Sequence, residues 1–294
     1  MTLDPQIFIV LPTYNGSRHI EQSIQSCLRQ TYSQWQLVIV DDASTDNTPD
    51  IIARYVSSDD RICSVRHETN RKLPAALNTG FAQARGEYFT WTSDDNYYRP
   101  EALMIMLAVL EDHPEVDVVY SDFSYVDQDD HFIKRVEVKP PRELIKGNCV
   151  GPSFLLRRNV KDFIGPYAED LFLAEDYDYW LRVSIHFNMK PLHEDLYCFR
   201  AHKNRLTSFN IKRIHRVTER ALARNLPLMK WVASFEKSET YILFARIALN
   251  HRDLIAMQKY LLKALFHSPH YVGRYFLKVV MKLFRRAVRK NDSY

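Results

Sequence analysis

The sequence predicts an α/β domain built on a mainly parallel sheet with helices on both faces, followed by an all-helical extension. Over about the first 200 residues, short apolar runs alternate with segments of helical periodicity. Continuous apolar runs are typical of strands that are buried on both faces, as in parallel sheets. Near residue 209 the pattern changes to helices alone. We therefore predict two domains, residues 1–208 and residues 209–294.

Each strand of the first domain is predicted from a short apolar run. The predicted strands are Ile7–Leu11, Leu37–Val40, Ile62–Arg66, a strand that ends at Asp94, Val116–Tyr120 and Leu192–Phe199. The segment Tyr125–Ile133 alternates polar and apolar residues, which favours a hairpin at a sheet edge. The pairs Pro140-Pro141 and Gly151-Pro152 indicate irregular connections.

The helices between these strands are predicted from apolar spacing and from start signals. Ile20, Ile24 and Cys27 repeat at helical spacing. Thr48 followed by Pro49 is typical of a helix N-terminus. Further helices are predicted from about Pro74 to Ala84, from Pro100 to the residue before Pro114, and over Glu175–His186.

The extension is predicted to be helical and strongly basic. Tyr241–Leu249 and Leu254–Leu265 resemble a single tetratricopeptide-like helical hairpin. An apolar stripe then runs from Val272 to Val288 with basic residues on the opposite side. The net charge is −11 over residues 1–200 and +15 over residues 201–294. We predict an anionic membrane surface as a partner of residues 271–294, with packing of the stripe on the preceding helices as the alternative.

Missing motifs exclude several classes of protein. No Gly-x-Gly-x-x-Gly follows a predicted strand, and no P-loop motif is present, which argues against dinucleotide-dependent enzymes and P-loop ATPases. The four cysteines are scattered without a Cys-x-x-Cys pair, which argues against a zinc site or a disulfide framework. The aromatic residues of the tail lie on its apolar stripe rather than among its basic residues, so we predict no nucleic-acid partner.

The predicted location is cytoplasmic or peripheral on the cytosolic face of the membrane. No apolar run reaches the length of about 18 residues that a spanning helix requires. The first residues lack the basic and apolar regions of a signal peptide. Scattered cysteines are typical of proteins from the reducing cytosol.

Two adjacent carboxylates, Asp94 and Asp95, follow the aromatic-rich run that begins at Glu87. Paired carboxylates at the tip of a rigid element suit a hard divalent cation and the diphosphate that it neutralises. A strand-to-helix turn with an N-cap is the alternative, because Asp and Asn favour both roles. Ligands of open α/β sheets bind outside the carboxyl ends of the strands, where Asp42 is also expected.

Four segments together resemble the family 2 inverting glycosyltransferases with the GT-A fold. They are Val10–Gly16, Val38–Asp46, Gly86–Asp95 and Ala174–Arg182, in the order and at the spacing of the family. The resemblance covers about residues 5–205 and implies a Rossmann-like nucleotide-diphospho-sugar transferase domain. It also implies a nucleotide-sugar donor, with a UDP- or TDP-sugar favoured. The Gln-x-x-Arg-Trp element of processive polymer synthases is absent, which favours transfer of one or a few sugars.

The resemblance assigns nucleotide-binding roles to residues of the first loops. Tyr14 would stack on the pyrimidine, with Pro12 and Thr13 lining the base. Asp42 would accept a hydrogen bond from the imide N–H, because a charge-assisted hydrogen bond is strong in a partly dry pocket. Arg71 lies where the family places residues that contact the base or ribose, and a solvated charge is the alternative.

The same resemblance implies metal ligands and a catalytic base. Asp94 matches the position that meets the ribose or the metal through water, and Asp95 matches the direct ligand of Mn²⁺ or Mg²⁺. His202 matches a further metal ligand and would favour Mn²⁺, with a purely structural histidine as the alternative. Asp176 matches the base that takes the proton of the acceptor hydroxyl. The alternative for Asp176 is an acid that interacts with the dipole of its helix.

The sequence therefore predicts a metal-dependent inverting glycosyltransferase. It would move a sugar from a nucleotide-diphosphate donor to a hydroxyl of a saccharide or lipid-linked saccharide, in the synthesis of a surface polysaccharide or glycoconjugate. The competing hypothesis is a non-catalytic nucleotide-sugar-binding or scaffold subunit of a glycan assembly complex.

Overall fold

The computed structural model describes residues 6–201, 211–250, 252–278 and 281. The chain divides into two compact units, residues 1–221 and residues 222–294. The boundary predicted after residue 208 and the predicted metal ligand His202 both lie outside the described residues.

A nine-stranded sheet forms the centre of the first unit. Its strands are β1 (Ile7–Thr13), β2 (Trp35–Asp41), β3 (Ile62–Arg66), β4 (Tyr88–Trp91), β5 (Tyr97–Tyr98), β6 (Val118–Val126), β7 (Phe132–Val136), β8 (Phe154–Arg157) and β9 (Met189–Arg200). Their order in the sheet is β3-β2-β1-β4-β8-β6-β9-β5, and β7 pairs with β6 outside this path. The predicted hairpin at a sheet edge is confirmed by the antiparallel pairing of β6 with β7.

The strands β3, β2, β1 and β4 run parallel and form one half of the sheet. Every residue of β1 is buried, as its continuous apolar sequence predicts. Strand β8 joins this half to the rest of the sheet through antiparallel pairs with β4 and β6. Because parallel strands end at the same edge, the loops that follow β1, β2 and β4 meet there.

Helices alternate with these strands and pack against them. They are α1 (Ile20–Leu28), α2 (Thr48–Ser58), α3 (Leu73–Ala82), α4 (Ala102–Asp112), α5 (Arg158–Ile164) and α6 (Glu175–His186). The helix α7 (Ile211–Asn225) comes after β9 in the sequence, and the boundary between the two units lies within it. On α3, a Cβ atom at Gly80 would lie 2.4 Å from a methyl carbon of Val10. Glycine at this position therefore lets the helix pack closely on β1.

One sequence prediction about this unit is wrong. Strand β4 ends at Trp91 rather than at Asp94. The backbone N–H of Thr92 still donates to the carbonyl oxygen of Val10, and the chain then turns through Asp94 and Asp95. The connection at Gly151-Pro152 is irregular, as predicted, but the sequence analysis did not predict β8 and α5, which follow it. Strand β8 has only four residues, so its sequence carries too few positions for a periodic signal.

The predicted helical hairpin of the second unit is confirmed by α8 (Ser234–Asn250) and α9 (Leu254–His267). The hydroxyl of Ser238 donates to the carbonyl oxygen of Ala264 at 2.8 Å, which ties the two helices together. Asp253 caps α9 by accepting from the N–H of Ala256 at 2.9 Å. None of the helices in the described ranges is both long and apolar enough to cross a membrane.

Candidate active site

The paired acids lie on the turn after β4, against the loop that follows β1. The Thr13 hydroxyl donates a hydrogen bond to Asp94 Oδ2 at 2.5 Å. A Cβ atom on Gly16 would lie 2.2 Å from the same oxygen and 2.5 Å from Thr13 Oγ1. Only glycine therefore lets the first loop approach Asp94 this closely. Burial and the neighbouring charge of Asp95 raise the pKa of Asp94 to about 7.

Arg200, at the end of β9, is hydrogen-bonded to the turn that carries the paired acids. Its side chain is only 1% exposed. Its Nε donates to the carbonyl oxygen of Asp95 at 3.1 Å, and its backbone N–H donates to the Asn96 side chain at 2.8 Å. The guanidinium also pairs with Asp130 at 2.8 Å. A buried cation that is satisfied by several acceptors fixes the turn that carries Asp95.

The first two loops are joined by side chains that accept from backbone N–H groups. Asn15 Oδ1 accepts from the N–H of Thr45 at 2.8 Å. Asp46 accepts from the N–H groups of Ser17 at 3.1 Å and Thr48 at 3.0 Å. Burial alone would raise the pKa of Asp46, but the hydrogen bonds from Ser17 and Thr48 lower it to about 2.

Non-glycine residues with positive φ angles cluster in the loops of this edge. The φ angle is +56° at Asn15, +65° at Ala43 and +74° at Lys72. Such conformations are held only where surrounding contacts over-determine them, and they concentrate at functional sites.

Asp42 is almost fully buried and organises the loop that follows β3. Its carboxylate accepts from the backbone N–H groups of Arg71 and Lys72, both at 2.8 Å. His67 Nδ1 lies 2.7 Å from the same carboxylate, and His67 Nε2 lies 2.9 Å from the hydroxyl of Thr79. The role predicted for Asp42 towards a pyrimidine remains a prediction, and these contacts give the residue a structural role as well.

The other predicted nucleotide-binding residues differ in their exposure. Pro12 is buried in β1 and Thr13 is 4% exposed. Tyr14 is 49% exposed, and the Arg71 side chain is 51% exposed at 4.0 Å from Glu169. Tyr14 and Arg71 are therefore accessible to a ligand. Thr13 is buried, and its hydroxyl is bonded to Asp94.

Asp176 lies in the first turn of α6 and is partly exposed. Its Oδ1 accepts from the N–H of Tyr177 at 2.7 Å, and its Oδ2 accepts from the side-chain amide of Asn148 at 2.9 Å. Burial raises the pKa of Asp176, and these two hydrogen bonds oppose the rise. Burial and the charge of Asp176 raise the pKa of Glu175 to about 8. Burial and the short distance between the two carboxylates therefore disfavour two negative charges at this helix start.

Tyr167 connects the strand of the paired acids with the helix of Asp176. The indole N–H of Trp91, the last residue of β4, donates to the Tyr167 hydroxyl at 3.0 Å. The Tyr167 ring stacks on the ring of Tyr179 in α6, with the ring centroids 4.4 Å apart. Asn78 exchanges two hydrogen bonds with the backbone of Tyr167, at 2.8 and 3.0 Å. The paired acids and Asp176 thus belong to one packed frame.

A third acidic group lies on the turn between β6 and β7. Ligand atoms of Asp127, Asp129 and His131 lie within 4.8 Å of one another. Asp127 accepts from the N–H groups of Asp129 at 2.9 Å and His131 at 3.0 Å. The Asp127 side chain therefore acts as an Asx-type cap of the turn.

Sequence reasoning missed several residues of this edge. They are Gly16, Asp46, His67, Asn148, Tyr167 and Arg200. Gly16 had a usable signal, because the chain has only seven glycines and this one lies in the loop that follows β1. Asn148 and Arg200 act on residues 28 and 105 positions away, which no local pattern indicates.

Two solved structures resemble the fold. TarS of S. aureus (residues 1–349, in complex with UDP-GlcNAc) has a TM-score of 0.68 and 19% identity, covering 88% of this chain and 79% of that chain. The mannosyltransferase PcManGT from Pyrobaculum calidifontis, in complex with GDP-Man and Mn²⁺, has a TM-score of 0.57 and 20% identity, covering 92% and 88%. The predicted GT-A-type α/β fold is confirmed by these neighbours.

Sequence relatives lead to the same family. An uncharacterized glycosyltransferase of Rickettsia typhi is 32% identical over 224 residues, which cover 70% of this chain and 67% of the relative. Against two further relatives, from Rickettsia felis and Rickettsia conorii, the match spans only 33% and 32% of the relative's length. The family model described as glycosyl transferase family 2 matches residues 8–168, more than half of the chain. With this match added to the strand-end acids and the fold, the chain belongs to glycosyl transferase family 2 and is a glycosyltransferase.

Proposed function

We propose that this glycosyltransferase is a metal-dependent inverting enzyme that transfers a sugar from a nucleotide-diphosphate donor to an acceptor hydroxyl. The observation that carries the proposal is the frame in which Tyr167 joins the paired acids Asp94 and Asp95 to the base candidate Asp176. Asp94 and Asp95 suit a metal ion that binds the diphosphate of the donor. Asp176 offers a carboxylate to the hydroxyl of the acceptor.

The paired acids fit a divalent cation. They are adjacent and partly exposed, and their mutual repulsion contributes to the raised pKa of Asp94. Asp95 would hold the metal directly and Asp94 through water, with His202 as a further ligand. Bound Mn²⁺ or Mg²⁺ would supply positive charge against the departing diphosphate. Two carboxylates with oxygen ligands suit either ion, and a histidine ligand would favour Mn²⁺.

Asp176 is proposed to act as the general base of a single displacement. Its carboxylate would take the proton of the acceptor hydroxyl while that oxygen bonds to the anomeric carbon of the sugar. The bond from that carbon to the diphosphate oxygen breaks at the same time, so the configuration inverts. Such a base typically contributes ~10²–10⁴ in rate. The hydrogen bonds from the N–H of Tyr177 and the amide of Asn148 support this role, because both donors favour the ionised carboxylate.

For the donor we favour a UDP- or TDP-sugar. Tyr14 offers a half-exposed ring for stacking beside the first loop, and Arg71 offers an exposed cation for the ribose or the base. The structural neighbours differ on this point, because TarS is in complex with UDP-GlcNAc and PcManGT with GDP-Man.

For the acceptor we favour a saccharide or lipid-linked saccharide of the cell surface, reached from an anionic membrane. The second unit supports docking, since Ile255, Phe266 and Leu277 are 82%, 83% and 61% exposed. Basic residues are concentrated in the same part of the sequence, which carries a net charge of +15 over residues 201–294.

Calorimetric titration of UDP, TDP and GDP, with and without Mn²⁺ or Mg²⁺, tests the donor site. We expect metal-dependent binding of UDP or TDP by the native protein and its loss in Asp95→Ala. Asp129→Ala, which removes an exposed carboxylate of the β6–β7 turn, is the matched control. If the native protein binds none of the nucleotides, the scaffold hypothesis replaces the enzyme.

Co-sedimentation with vesicles tests the membrane proposal. We expect binding to vesicles that contain anionic phosphatidylglycerol, and weaker binding by Arg274→Glu with Lys278→Glu. The control carries the same change of charge in the first unit, at the exposed residues Arg54 and Arg85. Equal binding of the vesicles by both variants and the native protein would contradict docking through residues 271–294.

A further inference from the structure

The loop from Gly147 to Gly151 places an asparagine side chain against Asp176. The amide nitrogen Nδ2 of Asn148 donates to Asp176 Oδ2 at 2.9 Å. The amide oxygen Oδ1 of Asn148 accepts from the backbone N–H of Val150 at 3.1 Å. Because a backbone N–H can only donate, the amide oxygen must face Val150 and the NH₂ group must face Asp176. The orientation of the amide is thus set by the loop itself.

The loop is held at both of its ends. Gly147 and Gly151 have φ angles of +147° and +76°, which favour glycine. A Cβ atom on Gly151 would lie 2.8 Å from the ring of Phe123 in β6. Between them, the carbonyl oxygen of Cys149 accepts from the N–H of Lys139 at 3.2 Å. These contacts fix the backbone that carries the Asn148 amide, although the Asn148 side chain itself is exposed.

We propose that Asn148 is a positioning residue that keeps Asp176 ionised and in the orientation needed to accept a proton. This inference rests on the proposed role of Asp176 as the general base. The amide NH₂ donates, so it favours the charged carboxylate over the neutral acid. It also holds Oδ2 while the N–H of Tyr177 holds Oδ1, so that the carboxylate is fixed by both oxygens.

Burial opposes these donors, because it favours the neutral form of Asp176 and raises its pKa. Glu175 lies beside it on α6, and the two carboxylates interact. Tyr167, from the segment before α6, has a pKa that burial raises well above its usual value, so its hydroxyl carries no charge at neutral pH. Removal of the Asn148 donor therefore leaves the effect of burial opposed by less, and the pKa of Asp176 rises.

The direct test is a carboxyl ¹³C NMR titration of the full chain labelled at aspartate. The Asp176 resonance is assigned by its loss in Asp176→Asn. We expect the pKa of Asp176 to rise by about one unit in Asn148→Ala, in keeping with the loss of one donor to a charged group. In Asn148→Asp, which keeps the shape but replaces the donor by a second carboxylate, we expect a larger rise. Asn159→Ala is the matched control, because the Asn159 amide donates to Asp117 at 3.4 Å elsewhere on the surface.

Kinetics give a second reading that a merely structural role would not produce. The acidic limb of the pH profile of kcat/KM should move upward by the same amount as the NMR pKa, while the affinity for UDP stays unchanged. An Asp176 pKa that is the same in the native protein and both Asn148 variants would overturn the inference. If the native protein turns over no nucleotide-sugar, the proposed function fails instead, and the NMR titration still decides whether Asn148 acts on Asp176.

Discussion

The turn of Asp94 and the helix start of Asp176 hold their carboxylates in different ways. Asp94 is packed against a hydroxyl and a glycine, in a place where a single added methyl group would collide. Asp176 is partly exposed and accepts from its own helix and from one amide of an exposed loop. A substitution beside Asp94 should therefore change both ligand binding and stability. A substitution at Asp176 should change the reaction and leave the packing of the fold almost unaffected. Substitutions at the two places should therefore fail in different assays.

The largest expected effect is that of Asp176→Asn on turnover. Loss of a general base lowers the rate by ~10²–10⁴, and the amide keeps the shape of the carboxylate. Because the contacts of Asp176 lie in its own helix and the Asn148 loop, the affinity for UDP and the melting temperature should change little. Initial rates of UDP release, compared with calorimetry on the same preparation, measure both quantities. Full activity in this variant would mean that another group takes the proton.

Gly16→Ala tests the opposite side of the comparison. The new methyl group would lie 2.2 Å from Asp94 Oδ2, so the loop or the carboxylate must move. Overpacking of this kind costs about 1–3 kcal/mol. We expect weaker metal-dependent nucleotide binding by about tenfold or more, together with a lower free energy of unfolding.

Gly273→Ala is the control for Gly16→Ala, because a Cβ atom there meets nothing within 4 Å. Native nucleotide affinity in Gly16→Ala would show that the position of Asp94 is not needed for binding. The comparison between the two carboxylates would then lose its basis.

Features of the site that lie within a few residues of one another are predicted from the sequence, whereas contacts between distant positions are not. The strands β1, β2 and β3 follow from their apolar runs, and the paired acids were expected near the carboxyl end of β4. Those features are local, so a window of a few residues contains them.

The contacts that shape the site are not local. Thr13 meets Asp94 across 81 positions, and Arg200 meets the backbone of Asp95 across 105. Each depends on which strands become neighbours in the sheet. Strand β4 is joined to β6 through β8, a four-residue strand that carries no periodic signal. The end of β4 was predicted three residues late for a related reason, since Thr92 and Ser93 have the composition of a strand but follow its last pair.

Asp42→Asn is expected to affect stability more than chemistry. The carboxylate accepts from two backbone N–H groups, and hydrogen bonds to a charged group contribute about 1.5–3 kcal/mol. An amide NH₂ directed at either N–H would repel it. We expect the free energy of unfolding in urea to fall by about 2 kcal/mol. The exposed Asp60 gives the control variant, Asp60→Asn. A stable Asp42→Asn variant that no longer binds UDP would instead assign Asp42 to the ligand alone.

The smallest expected effect is the pH-dependent contribution of Asp46. Its pKa is lowered to about 2 in the folded protein, so the ionised carboxylate stabilises the fold above the unfolded value near 4. This stabilisation is lost as the pH falls from about 4 towards 2. Solvent screening limits it to about 1 kcal/mol, because the residue is only partly buried. Unfolding of the native protein and Asp46→Asn between pH 2 and pH 6 should give two curves that converge at low pH. The exposed Asp50, in the first turn of the helix α2 that follows Asp46, provides the control, Asp50→Asn. Parallel curves for the native protein and Asp46→Asn would mean that the hydrogen bonds between the first two loops do not depend on the charge of Asp46. The loop beside Asp94 would then be held by packing alone.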